Sequence, residues 1–197
     1  MLIKFKTHNT MKKSVLFFAA FATFISMNIN AQDVYFTKNA KVNFNASPAE
    51  PIEVIDAVNN EGTSFLNTTK GEIVFAVLIK GFRFERALME EHFNENYMES
   101  TKFPKGDFKG KIDNLSEVNF SKDGSYKVKV SGNLTIHGIT KPTTADGVIN
   151  VKAGKISATS NFSVKLADYK IDRPSVVANK INETVKISVS ANYELKK

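Results

Sequence analysis

Apolar and polar side chains alternate along residues 126–136, and this pattern constrains the fold more than any other feature of the chain. The apolar series occupies every second position: Tyr126, Val128, Val130, Leu134 and Ile136. Successive side chains of a β-strand point to opposite faces, so the pattern predicts a long strand with one apolar face. Gly132 falls on that face, where a strand can bend or let another chain approach closely. Such a strand suits a curved antiparallel sheet that closes on itself.

The same alternation recurs in shorter segments along the rest of the chain. These segments are residues 34–46, 73–79, 108–112, 118–120, 148–151, 156–166 and 185–195. About eight short strands at this spacing are typical of a β-sandwich or a β-barrel. Together with the bends described above, they predict an all-β fold, a single antiparallel β-barrel of about eight strands.

Local signals predict where some of the strands end. Residues 59–62 (Asn-Asn-Glu-Gly) indicate a turn. Asp123 and Gly124 predict a hairpin turn after the short strand at 118–120. Pro142 has no amide N–H to donate, so we expect the strand before it to stop there. Residues 52–58 fit a short strand or a helical turn equally well.

One segment departs from the β pattern. Between residues 85 and 98, Leu88, Met89, His92 and Phe93 recur at helical spacing, and glutamates occupy the opposite face. We therefore expect one short helix near residues 85–98. It would close one end of the barrel or cover its side.

The N-terminal segment has the features of a secretory signal peptide. Met11 is followed by two lysines, residues 14–27 are mostly apolar, and Ala31 precedes Gln32. The apolar run is shorter than the roughly 20 residues that a membrane span needs. We predict a signal peptide at 1–31 with its start at Met11, and a domain at 32–197 with no stable membrane span. The expected location is the periplasm, with the extracellular space as the alternative.

Charge and cysteine content exclude several classes of function. The chain has 27 basic and 20 acidic residues, but residues 1–31 hold four of the basic ones and no acid. The remaining 23 basic residues nearly balance the acids, so the charge gives no reason to expect a nucleic-acid partner. The absence of cysteine excludes disulfides, thiolate metal sites and a cysteine nucleophile.

The sequence offers little support for catalysis. The predicted domain has two histidines, His92 and His137, and neither has a metal-ligand spacing. We expect His137 to be solvated or to form hydrogen bonds at a barrel end, whereas His92 could belong to a site on the helix. No nucleophile elbow, phosphate loop or paired-carboxylate pattern is present. We therefore predict no enzyme activity, no catalytic residue, no metal and no cofactor.

The apolar residues are the stronger signal, and two interpretations of them remain open. An antiparallel barrel of about eight strands is just wide enough to be filled by side chains or to hold one elongated ligand. The residues in question either fill the core or line a cavity: Phe75, Val77, Ile79, Phe82, Phe84, Phe162 and Val164. In the second case Leu88, Met89 and Phe93 would line the cavity mouth.

Three segments resemble the YceI-like family of exported, polyisoprenoid-binding, lipocalin-like barrels. Residues 132–142 (GNLTIHGITKP) resemble the signature strand and turn of the family. Residues 88–100, followed by Lys102-Phe-Pro and Phe108-Lys-Gly, resemble its helical insertion and the next strand. Residues 162–164 and 168–174 resemble its late strand and loop.

The resemblance implies a barrel whose interior holds a long isoprenoid or fatty-acyl chain. We predict a polyisoprenoid, an isoprenoid quinone or a fatty-acyl lipid as the ligand, and a monomer or homodimer. The candidate ligand-binding residues are Phe75, Val77, Ile79, Phe82, Phe84, Leu88, Met89, His92, Phe93, Leu134, Ile136, Phe162 and Val164. Two alternatives stay open. One is an enzyme acting on a lipid in the same barrel, and the other is a structural or stress-related exported protein with a filled barrel and no ligand.

Overall fold

A computed structural model describes residues 34–51 and 53–196. The predicted signal peptide lies outside these residues. The described chain forms eight antiparallel strands, each hydrogen-bonded to the next, and the last pairs with the first to close a barrel. This confirms the predicted fold. The strands are β1 (Val34–Asn45), β2 (Asp56–Asn67), β3 (Glu72–Leu78), β4 (Lys105–Ile112), β5 (Gly124–Ile136), β6 (Ile139–Lys152), β7 (Lys155–Lys165) and β8 (Thr184–Leu195).

Two hairpins set the register of the strands around the predicted signature segment. His137 and Gly138 join β5 to β6, and Ala153 and Gly154 join β6 to β7. All four residues have positive φ, between 50° and 74°. Two-residue hairpin turns with positive φ at both central positions match the twist of the flanking strands. This geometry explains why glycine follows the first residue of each turn.

The predicted turn at residues 59–62 is wrong, because these residues continue β2. They pair with a part of β1 whose register shifts on both sides of Ala40. The Asn59 side chain is fully buried and donates from Nδ2 to the Leu78 carbonyl, while its Oδ1 accepts from the Glu61 amide. The sheet therefore satisfies the asparagine that the sequence pattern assigned to a turn.

The predicted short strand at residues 118–120 and its hairpin are also wrong. After β4 the chain forms a one-turn 3-10 helix, Leu115–Glu117, and then runs irregularly to the start of β5 at Gly124. Asn114 holds this connection to β5, because its Oδ1 accepts from the Lys129 amide and its Nδ2 donates to the Lys127 carbonyl. Asp123 accepts a hydrogen bond from the Ala153 amide instead of initiating a hairpin.

Pro142 does not end a strand. It lies within β6, opposite Asn133 of β5. β6 pairs with β7 only from Gly147 onwards, so Pro142 lies in a stretch bonded on one side. Proline is tolerated at such an edge because no ladder hydrogen bond is lost.

A helical segment and a loop cover the barrel end at which β3 ends and β4 begins, here called the upper end. The predicted helix consists of α1 (Ala87–His92) and a π-helical turn (Phe93–Tyr97). The loop at 166–183 contains the 3-10 turns Leu166–Tyr169 and Ser175–Val177. His137 contacts the loop and the residues just after the helical segment: Nε2 lies 2.9 Å from a Glu99 carboxylate oxygen, and Nδ1 lies 3.0 Å from the Tyr169 carbonyl oxygen.

Gly132 should be essential for the close packing of β4 on β5. A Cβ at this position would lie 2.3 Å from the Lys109 carbonyl oxygen and 2.5 Å from the Gly110 Cα. Backbone atoms cannot move aside cheaply, so we expect Gly132→Ala to lower the free energy of unfolding by about 2–3 kcal/mol. Urea unfolding followed by far-UV circular dichroism measures this change.

Gly106→Ala is the matched control, because Gly106 is also an inward-facing strand glycine. The nearest atom to its added Cβ would be a Val77 methyl carbon at 3.6 Å, an ordinary contact. We expect this variant to change stability by less than about 1 kcal/mol. Equal losses in both variants would contradict the packing argument.

Candidate functional site

The barrel is hollow over much of its length. It encloses a cavity of about 330 Å³, which is within the range of small-molecule sites. Every second residue of β8 from Val185 to Tyr193 lines it. The nine residues from Val185 to Tyr193 of a tilted strand span roughly 20 Å along the barrel axis. The cavity is therefore elongated and suits a long, narrow ligand.

Small inward-facing residues explain why the middle of the barrel is not filled. The middle of the wall contains several positions with a small side chain or none: Ala145, Gly147, Ala158, Ser160 and Ala191. The backbone hydrogen bonds of a barrel are made within the wall, so a small side chain leaves space in the interior without itself removing a backbone hydrogen bond.

Glycines also let two phenylalanines lie flat against the wall. A Cβ at Gly62 would lie 2.9 Å from Cζ of Phe75, and one at Gly132 would lie 2.7 Å from Cζ of Phe108. The rings therefore occupy the places where side chains of the neighbouring strands would otherwise stand. This arrangement adds apolar surface to the wall without closing the cavity.

Large side chains fill the opposite, lower end of the barrel. The buried cluster there includes Leu66, Ile112, Val151 and Ile156, each exposed by 5% or less, and none of them lines the cavity. Ser64 and Tyr193 do line the cavity directly above this cluster. Their hydroxyl oxygens are 2.8 Å apart. Burial raises the pKa of the Tyr193 phenol above its ordinary value, and the hydrogen bond with Ser64 partly opposes this.

An aromatic cluster forms the upper end of the cavity. Phe44 on β1 contacts Phe82, Phe84 and Phe93 with ring-centroid distances of 5.3–5.7 Å. Glu90 fixes the helical segment over this cluster, since its carboxylate accepts from Arg83 Nη1 at 2.8 Å and from the Phe84 amide at 3.3 Å. The helix therefore forms part of the cavity wall and not only a surface cover.

The structure brings twelve of the thirteen predicted site residues to this one cavity. They are Phe75, Val77, Ile79, Phe82, Phe84, Met89, His92, Phe93, Leu134, Ile136, Phe162 and Val164. Leu88 does not line the cavity and is 60% exposed, because its helix position faces solvent. That the twelve contact a ligand stays a prediction.

The sequence-based prediction missed part of the wall. Phe44, Phe108, Ser64 and Tyr193 all line the cavity. The alternation in β1, β4 and β8 placed Phe44, Phe108 and Tyr193 on an apolar face, so that signal was available. Ser64 had none, since β2 is polar in sequence and its inward face is recognisable only from its pairing with β1 and β3.

The two histidines have different surroundings. His92 lies in the cavity wall, and within the described residues it makes no hydrogen bond or ion pair. His137 lies outside the cavity wall, where its ring contacts Phe103 edge-on at 4.6 Å between centroids. Among residues 34–51 and 53–196, no three His, Asp or Glu side chains are grouped to hold a metal ion. No helix in the same part of the chain is long and apolar enough to cross a membrane.

The comparison with protein families agrees with this architecture. The YceI-like domain matches residues 26–193, most of the chain. The chain belongs to the YceI-like family. A comparison with curated proteins gives no match.

Three solved structures share the fold. A polyisoprenoid binding domain from Saccharophagus degradans, implicated in plant cell wall breakdown, has a TM-score of 0.72 at 15% identity, over 84% of this chain and 99% of its own. BcnA of Burkholderia cenocepacia has 0.63 at 12% identity, over 79% and 96% of the two chains. The YCEI protein of Campylobacter jejuni has 0.55 at 19% identity, over 75% and 90%.

The buried phenol of Tyr193 should make stability depend on alkaline pH. The phenol ionises near its ordinary pKa of 10.0 in the unfolded chain and at a higher pKa in the folded protein. Its contribution is therefore present below pH 10.0 and is lost as the pH rises through the folded-state pKa. At neutral pH we expect Tyr193→Phe to cost about 1 kcal/mol for the lost hydrogen bond. This difference from the wild type should shrink above pH 10.0.

Urea unfolding of both proteins at neutral and alkaline pH measures this difference. The comparison cancels the ionisation of lysines and of the other tyrosines, which the two proteins share. A stability difference that stays constant across the pH range would contradict the assigned environment of Tyr193.

Proposed function

We propose that this protein is an exported binding protein that holds one elongated apolar lipid inside its barrel. The ligand classes that fit are polyisoprenoids, isoprenoid quinones and fatty-acyl lipids. The observation that carries the proposal is the long apolar cavity, whose wall contains all but one of the predicted site residues. The binding domain from Saccharophagus degradans, which shares this fold, is described as polyisoprenoid binding.

Binding in such a cavity would depend mainly on the transfer of apolar surface out of water. Burial contributes about 25 cal/mol per Å², or about 0.8 kcal/mol for each methylene group. Few polar groups line the cavity, so the wall has few hydrogen-bonding partners for a charged ligand chain. We therefore expect the protein to select ligands by chain length and width, with the polar head group outside the apolar part.

The predicted signal peptide supports export to the periplasm or beyond. In either compartment, a lipid that moves between membranes or enzymes would need protection from water, and the interior of the barrel would provide it. The protein would act in this way as a monomer or a homodimer.

Blocking the cavity should abolish binding without unfolding the barrel. Ala145 of β6 faces the cavity, and a tryptophan in its place would fill the middle of the available space. We expect Ala145→Trp to lower affinity for long-chain fatty acids at least tenfold, which corresponds to about 1.4 kcal/mol. Displacement of a fluorescent apolar dye by the fatty acid measures this affinity.

Thr144→Trp is the matched control, because Thr144 is the adjacent residue and its exposed side chain lies on the outer face. We expect this variant to bind as the wild type does. Equal binding by both variants would place the ligand outside the barrel. Failure of the wild type to bind any long-chain lipid would reject the proposed function.

A further inference from the structure

We propose that Tyr193, held in place by Ser64, is the stop that sets the longest ligand chain the cavity accepts. This inference rests on the proposed function and adds a determinant of specificity to it. Tyr193 lies at the lower end of the cavity, where the hollow part of the barrel meets the filled part.

The Tyr193 side chain extends across the wall and does not simply point inward. Its hydroxyl oxygen is 2.8 Å from Ser64 Oγ, although Tyr193 is on β8 and Ser64 is on β2. β1 lies between these strands, so the phenol, the hydrogen bond and the Ser64 side chain together span about two strand spacings, roughly 10 Å. Ala40, the small and fully buried residue of β1 that pairs with Gly62, belongs to the same buried cluster as Tyr193. The phenol therefore lies as a bar across the lower end of the cavity, here called the floor.

A packed layer supports this bar from below. Ile156 is the direct partner of Tyr193 in the β7–β8 pairing and is 2% exposed. Leu66, Ile112 and Val151 complete the layer, and none of them reaches the cavity. A chain that enters from the upper end would therefore reach Tyr193 at the floor, where Val128 and Ile149 of the same buried cluster also line the cavity.

The hydrogen bonds at the floor indicate which end of the ligand arrives there. Ser64 donates its only hydroxyl proton to the Val74 carbonyl oxygen at 3.2 Å. In the arrangement that uses both hydroxyl protons, Tyr193 donates to Ser64 Oγ, and neither hydroxyl keeps a donor for a ligand. A carboxylate, a phosphate or another anionic head group would find no hydrogen-bond donor from this pair. The floor therefore accepts an apolar chain end, and the head group stays at the upper end.

The dependence of affinity on chain length tests the stop. The probes are a homologous series of saturated fatty acids, and affinity is measured by displacement of an apolar dye. In the wild type each added methylene should raise affinity about fourfold until the chain end reaches Tyr193, after which the gain should cease. The chain length at which the gain ceases is the measured quantity.

Variants of Tyr193 should move this limit in a defined way. Tyr193→Ala removes the bar, so the gain should continue to longer chains than in the wild type. Tyr193→Leu should move the limit in the same direction by a smaller amount, and it keeps more of the apolar packing if the alanine variant does not fold. Tyr193→Phe keeps the ring, so its limit should equal that of the wild type.

Two further variants distinguish the depth of the cavity, which sets the chain-length limit, from its width, which affects affinity for all chains. Val189 lies on the same face of β8 as Tyr193, four residues above it, so Val189→Ala should alter affinity for all chains and leave the limit unchanged. Ala158 lines the cavity one inward position above Ile156 on β7, so Ala158→Leu should raise the floor and move the limit to shorter chains.

The outcomes distinguish this inference from the proposed function. A wild type that binds none of the fatty acids would overturn both. A wild type with a clear length limit that is unchanged in folded Tyr193→Ala or Tyr193→Leu would overturn the stop and leave lipid binding intact. A limit that lengthens in these variants but not in Tyr193→Phe or Val189→Ala would support it.

Discussion

The closed hydrogen-bond ladder between β8 and β1 is the constraint on which the rest of the structure depends. An open sheet has edges with unpaired peptide groups and must bury one face against another layer. Closure largely removes both requirements, because most of the wall satisfies its own backbone; residues 139–146 of β6 and 161–165 of β7 are paired on one side. The interior of the barrel can then contain fewer or smaller side chains than a close-packed core of the same length. Closure thus permits a cavity that lies along the barrel axis.

The sizes of the inward-facing residues then determine the shape of the cavity. Large aliphatic residues fill the lower end, glycine, alanine and serine leave the middle open, and phenylalanines surround the upper end. Empty apolar space lacks the dispersion contacts of a close-packed core, so the hollow barrel is less stable than a filled one would be. A ligand that fills the space would restore these contacts and stabilise the folded state.

The sequence predicted the barrel because period-two alternation is strong in β5, β7 and β8. It failed where local and tertiary effects compete. Residues 59–62 carry a turn composition, yet pairing with β1 and β3 holds them in β2, and residues 118–120 alternate but have no partner strand. Pro142 is tolerated because β6 has a single neighbour there. In each case the deciding factor was the presence or absence of a neighbouring strand, which the local sequence does not indicate.

The site was predicted less completely than the fold. Alternation shows which residues face inward, but inward residues either meet across the barrel or leave a space, and that depends on their neighbours. Gly132 and Gly62 illustrate this, since their absent side chains determine where Phe108 and Phe75 lie. The Ser64–Tyr193 pair joins strands that are not adjacent, so no local pattern indicates it.

The most direct test of the account is mass spectrometry of the protein isolated from its own host under non-denaturing conditions, followed by lipid extraction. The account predicts one long-chain apolar lipid per barrel, released intact on unfolding. Protein that is repeatedly isolated without any lipid, although its cavity remains accessible to an apolar dye, would contradict it.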